Sequence, residues 1–161
     1  MKVNIFCAVY ALLIVSMLSS CNKEKKEILK EQGQLPPVTL ADMLTCHNLT
    51  TWDSTAIRTK LIGKWDWEFI KCYWNPEDAN GDDYKGLSIE LKSDNTIEVK
   101  INGVTTQTSV WQMQKLNDGN YAITSNPYVV YIPGRIYFCE ERVLFADTYT
   151  DGCDNYFKKN N

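Results

Sequence analysis

The sequence predicts an all-β domain: an eight-stranded antiparallel up-and-down β-barrel preceded by short N-terminal helices. Two changes of pattern predict it. Before Gly63 the apolar residues recur at helical spacing, and after it they recur at every second position. The alternating segments are short and separated by tight-turn sequences, the signature of a sandwich or a barrel. Only the first connection is long, and the absence of a long crossover favours an up-and-down meander.

Thr39 reads as the N-cap of a first helix running through Leu40, Met43 and Leu44 to about Cys46. A second helix is expected from a cap at Asp53 or Ser54 to Ile62, burying Ile57, Leu61 and Ile62 and stopped by Gly63. Trp65, Trp67 and Phe69 then alternate with Lys64, Asp66 and Glu68, giving one aromatic and one charged face. Leu87, Ile89 and Leu91 make the next strand, and Ser93-Asp94-Asn95 a turn. Ile97, Val99 and Ile101 follow, before the hairpin signal Asn102-Gly103. The strand over 104–116 slips in apolar parity between Val110 and Trp111, which implies a bulge there. After Asn117-Asp118-Gly119 come strands over 121–124 and 128–132, the latter interrupted at Pro133-Gly134 and resumed over 135–139. Glu140-Glu141 turns into a strand over 143–149, and Asp151-Gly152 leads to the last, 153–158. With the segments around Pro133 counted as one broken strand, there are eight.

The N-terminus has a separate character. Lys2 precedes an apolar run over 5–18, too short for a relaxed membrane span. The run ends in Leu18-Ser19-Ser20-Cys21, which resembles the lipobox of bacterial lipoproteins. The resemblance implies that residues 1–20 are a signal peptide and that Cys21 carries the lipid. Residues 21–38 would then be a flexible tether, and 39–161 the folded domain. The alternative is an ordinary secretory signal with Cys21 as a plain thiol. Two or three acyl chains, at roughly 0.8 kcal/mol per buried methylene, make such an anchor effectively permanent. The expected location is the cell envelope, on the outer membrane at its periplasmic face or the cell surface, with the membrane as partner.

Removing residues 1–21 takes the charge of Lys2 and moves the net charge from −3 to −4. A mildly acidic chain with no basic block is not built for nucleic acid. The run Lys23-Glu24-Lys25-Lys26-Glu27 is mixed in sign and suits a solvated tether. Of six cysteines, Cys7 leaves with the signal and Cys21 takes the lipid. The remaining four, Cys46, Cys72, Cys139 and Cys153, suit two disulfides in an exported protein. They contain no C-x-x-C and the chain has one histidine, His47, so no metal site is expected.

Leu61-Ile62-Gly63-Lys64-Trp65 resembles the Gly-x-Trp opening of lipocalins and of lipocalin-like bacterial lipoproteins. The end, Val143-Leu144-Phe145 through Tyr149-Thr150-Asp151-Gly152 to Asn155-Tyr156-Phe157-Lys158, is similar to the closing hairpin of lipocalin-like domains in secreted lipoproteins. The resemblance covers roughly residues 57–159. It implies a closed barrel and a ligand in it or at its mouth, although the strands are shorter than those of large lipocalins. In an up-and-down barrel the first and last strands lie side by side and antiparallel. Cys72, at the end of one, then faces Cys153 at the start of the other, leaving Cys46 with Cys139. Spacing alone allows three pairings, and Cys139–Cys153 is the main rival.

Trp65, Trp67 and Phe69 are the candidate ligand-binding residues, stacking on a small apolar guest inside the barrel. Eight strands leave an interior just wide enough for side chains, which favours these rings simply filling it. Tyr128, Tyr131, Tyr137, Phe138 and Tyr149 are candidates for the upper wall. Asp78-x-Asn80-x-Asp82 matches half of a calcium loop, but Asp83 and Ile89 stand where glycine and glutamate belong. It reads as an acidic solvated loop at the barrel mouth. One histidine, no serine elbow and no cysteine free of an expected pairing leave nucleophilic catalysis little to work with. Glu140 and Glu141, neighbours in a tight turn, should splay into solvent. No cofactor and no enzymatic activity are expected. The leading expectation is a lipid-anchored binding protein for a small, mostly apolar ligand; the alternative is a solid-barrel protein–protein interaction module or inhibitor.

Overall fold

A computed structural model describes residues 38–73 and 84–160. The expected signal peptide, Cys21, the tether up to residue 37 and the acidic stretch 75–83 lie outside the described residues.

Helix α1 (Leu40–His47) opens where Thr39 was expected to cap it. Thr39 Oγ1 accepts from Asp42 N at 3.2 Å, and the Asp42 carboxylate accepts from Thr39 N at 2.9 Å. This reciprocal capping box satisfies two backbone donors that a helix start leaves without partners. Helix α2 (Ser54–Leu61) is capped by Asp53, whose Oδ1 accepts from Ala56 N at 2.7 Å. Gly63 follows at φ +126°, a conformation side-chain-bearing residues avoid, and turns the chain into the first strand.

Eight strands follow among the described residues: β1 (Gly63–Lys71), β2 (Leu87–Leu91), β3 (Thr96–Ile101), β4 (Val104–Lys115), β5 (Tyr121–Asn126), β6 (Arg135–Cys139), β7 (Arg142–Ala146) and β8 (Asp154–Asn160). Each pairs antiparallel with the next, and β1 pairs with β8, so the sheet closes into a ring. The seams are unequal. Seven residue pairs join β1 to β8, from Lys64↔Asn160 to Lys71↔Asp154, whereas Ala122↔Arg135 alone joins β5 to β6. Alternate turns lie at opposite ends. The upper end carries the β1–β2, β3–β4, β5–β6 and β7–β8 connections; the lower end carries the other three and receives α2.

The interior is aromatic. Trp65, Trp111, Phe138, Phe145 and Phe157 are each at most 1% exposed. Ile57 and Leu61 of α2 join this cluster and plug the lower end. Arg58 pins the plug, donating to Ser93 O at 2.9 Å and Asn95 Oδ1 at 2.6 Å, with its guanidinium 4.7 Å from the Trp111 ring centre. Lys159 closes the same end. Its Nζ donates to Ile62 O at 2.7 Å and Lys60 O at 3.1 Å and lies 4.2 Å from the Trp65 ring centre.

Helix α1 packs against β6 on the outside of the ring. Tyr137, Leu144 and Tyr156 form a cross-strand row on the outer face, yet all are buried, as is Met43 of α1. Both disulfides form as the closure argument placed them: Cys46–Cys139 and Cys72–Cys153, with Cα–Cα distances of 5.2 and 4.5 Å. The first ties α1 to the β6–β7 turn, and the second staples the β1–β8 seam at the upper end.

Four expectations need correction. Residues 128–132 are not a strand: Val129 N donates to Ser125 Oγ at 2.8 Å and Ile132 N to Val129 O, so the chain turns back on itself before Pro133. Residues 148–150 form a 3-10 turn, so β7 stops at Ala146 rather than running to Tyr149. The β4 bulge falls at Thr106, where Val99↔Gln107 gives way to Lys100↔Thr105, and Val110 simply faces outward at 53% exposed. The fourth is a bulge at Glu68 that reverses the facing of Phe69.

Candidate functional site

The three residues expected to line the interior part company. Trp65 is fully buried, and its Nε1 donates to Leu61 O at 2.7 Å. It is a core residue with every polar need met. Trp67 pairs with Phe157 and stays on the inner face, but Phe69 pairs with Tyr156. Tyr156 lies one position from Phe157 on β8 and so on the opposite face. Phe69 therefore points outward, stacked on Tyr156 at 4.1 Å between ring centres, and cannot touch anything inside the ring. The bulged Glu68 is held outside by Arg142, which donates to its two carboxylate oxygens at 2.7 and 3.2 Å.

Trp67 is the member of the stripe that reaches the upper mouth. Its ring lies 5.2 Å from that of Tyr84, on the first connection, and Tyr84 stands 5.8 Å edge-on from Tyr131, on the β5–β6 connection. Three rings from three elements thus lie together at the mouth, and burial pushes the Tyr131 hydroxyl pKa up. Ile70 and Asn155, paired across the β1–β8 seam, share the inner face with Trp67. Trp67 Nε1 and Asn155 Oδ1 are buried and have no hydrogen-bond partner. One is a donor and the other an acceptor. A buried polar atom left unpaired costs about 1–3 kcal/mol, a penalty that a ligand or a water can remove.

Of the other aromatic candidates, Tyr131 is at the mouth, Phe138 is core and Tyr137 is buried under α1. Tyr128 and Tyr149 are exposed, at 62% and 54%. Tyr84 and Asn155 were not foreseen. Asn155 had a usable signal, since it alternates with Phe157 on one strand. Tyr84 sits in a connection, where no periodicity speaks.

His47 serves structure. A two-residue β6–β7 turn makes Cys139 and Arg142 a hydrogen-bonded pair, so Phe138 turns its N–H away from β7. No β5 residue pairs with it, and His47 Nδ1 accepts the proton instead at 3.0 Å. Nδ1 must be unprotonated to do so. Burial holds the His47 pKa below its usual value. The ring stacks on Trp52 at 5.2 Å between centres, and Trp52 Nε1 donates to His47 O at 2.9 Å. Glu140 and Glu141 are exposed in their turn. No group of three or more metal-ligating side chains occurs among the described residues.

A groove of about 270 Å³ lies on the outer face, lined by Lys64, Asp66, Glu90, Lys100 and Asn160 among others. Its polar groups are largely engaged with one another: Lys100 pairs with Glu90 at 2.7 Å, and Asn160 Nδ2 donates to Asp66 at 2.8 Å. The mouth is the better candidate, because two of its polar atoms, Trp67 Nε1 and Asn155 Oδ1, are buried and unmatched.

Compared with protein-family models, with curated proteins and with solved structures, the chain matches none.

Proposed function

We propose that this chain is an envelope lipoprotein, acylated on Cys21, whose lipocalin-like barrel binds a small, mostly apolar ligand at its upper mouth. The observation that carries the reading is the pairing of an aromatic surface (Trp67, Tyr84, Tyr131) with a buried, unmatched donor and acceptor. Small-molecule sites have this composition: mostly apolar walls with a few placed polar groups. The helix plug at the lower end and the Gly63-Lys64-Trp65 entry into β1 support the lipocalin likeness. The packed core favours a ligand at the mouth over one deep inside. The engagement of His47 with Phe138 and the pairing of Cys46, Cys72, Cys139 and Cys153 support binding over catalysis as the activity.

Titration of the purified protein with hydrophobic fluorophores and fractionated lipid extracts tests this. Saturable binding is expected, weakened at least tenfold by Trp67→Ala and left within twofold by Phe69→Ala. No saturable binding, or equal loss in both variants, would reject the mouth as the site. A solid interaction module is the second reading, favoured by the exposed apolar side chains of the upper connections.

A further inference from the structure

The two ends of the ring differ in chemistry. Three of the four upper connections, or the residues flanking them, present an exposed large apolar side chain: Tyr73, Ile101 with Val104, and Tyr128 with Val130. The fourth carries Tyr149, whose ring lies 3.8 Å from the guanidinium of Arg135, itself paired at 2.8 Å with Asp118 of a lower turn. Val104 is 67% exposed and Val130 57%. The lower turns instead present Ser93 and Asp94, Asn117 and Asp118, and Glu140 and Glu141, all exposed and polar. Outside the upper end, the described residues expose two further large apolar side chains, Leu49 and Val110.

We propose that the upper rim rests on the lipid bilayer that holds the anchor, so that the aromatic mouth faces lipid. This rests on the reading of Cys21 as acylated. Tyrosine suits a membrane interface, with an apolar ring and a hydroxyl that stays hydrated. Val104 and Val130 add aliphatic contact without a polar group to desolvate. The chain between Cys21 and Thr39 brings the bilayer within reach, because about 17 residues span at most about 60 Å when extended. An anchored domain meets the surface at high local concentration, so weak rim contacts suffice to orient it. Without Lys2 the net charge goes from −3 to −4 and the chain has no basic block, so a zwitterionic surface suits it better than an anionic one.

Nitroxide labels on Val104→Cys, Val130→Cys and, at the lower end, Ser93→Cys test the orientation in the mature protein bound to phosphatidylcholine vesicles. The two rim labels should be shielded severalfold from a water-soluble paramagnetic relaxant and opened to dissolved oxygen, while the label at 93 stays fully water-accessible. Adding Tyr73→Ser and Tyr128→Ser to the Val104→Cys protein should remove the shielding there while the protein still floats with the vesicles. Equal accessibility at all three positions would overturn the proposal. So would rim labels shielded in whole envelopes but not on pure lipid, which would identify a protein partner instead. Mass analysis of the N-terminal peptide separates the two claims. An unmodified Cys21 with shielded rim labels defeats the anchor but not the docking, and an acylated Cys21 with unshielded labels defeats the docking alone.

Discussion

His47 Nδ1 stands in for the β5 pairing that β6 lacks at Phe138, and the substitution has a pH signature. The ring accepts the Phe138 N–H only when neutral, and burial lowers its pKa from 6.5. As pH falls, the unfolded chain takes up this proton before the folded one does. The stability that His47 contributes is therefore complete above about pH 6.5 and lost as pH drops through the lowered folded-state value. Asp154 runs the other way, because burial raises its carboxyl pKa and acid relieves the charged group. The clean readout is a difference: His47→Asn, whose Oδ1 can accept the same hydrogen bond without titrating, should show a smaller fall in Tm between pH 7.5 and 5 than the wild type. Identical slopes would remove His47 from the account. His47→Leu should cost about 1–3 kcal/mol at pH 7.5 in urea unfolding, since it leaves the Phe138 N–H buried and unpaired. Gly134 provides a second residue-scale test. It sits at φ +92°, and an added Cβ would lie 2.1 Å from Ala146 O. Gly134→Ala should lose at least ~1 kcal/mol. It should lose more than Gly119→Ala, at a similar φ but with open space around it.

Among the elements, α1 depends most on a covalent tie. It is eight residues long, below the length at which an isolated helix holds in water. Met43 and Cys46–Cys139 secure it, and the disulfide spans 93 residues. Replacing both cysteines by serine should cost up to about 4–5 kcal/mol on the chain-entropy account. It should also raise hydrogen exchange in α1 well before β2 and β3; equal acceleration everywhere would mean that α1 is not a separate unit. The caps that start α1 and α2 were readable from sequence because they are local, a side chain reaching its own backbone three residues on. The face on which α1 lands was not, since it depends on Tyr137, Leu144 and Tyr156 from three later strands. The same cause hid the turn of Phe69. An aromatic residue at every second position reads as one continuous face, and only the α1-covered outer row gives Phe69 an apolar place after the bulge. The mouth was half legible: Trp67 and Tyr131 were, and Tyr84 and Asn155 came from the way the ring closes.

For the whole ring, the unequal seams set where it yields. Seven residue pairs and the Cys72–Cys153 bond hold β1 to β8, against one pair between β5 and β6. Native-state hydrogen exchange should find the amides of β5 opening more easily than those of β1 and β8, by the free-energy spread usual within one domain. Slower exchange in β5 would contradict the reading. Closure itself was legible, because alternation with short turns leaves a meander few other ways to satisfy both edge strands. Lys159 carries a last implication, for anyone preparing the protein. It stands two positions before residue 161 and seals the floor of the ring through Lys60, Ile62 and Trp65. A chain cut back to residue 158 would lose that cork, whereas one kept through residue 160 would retain it.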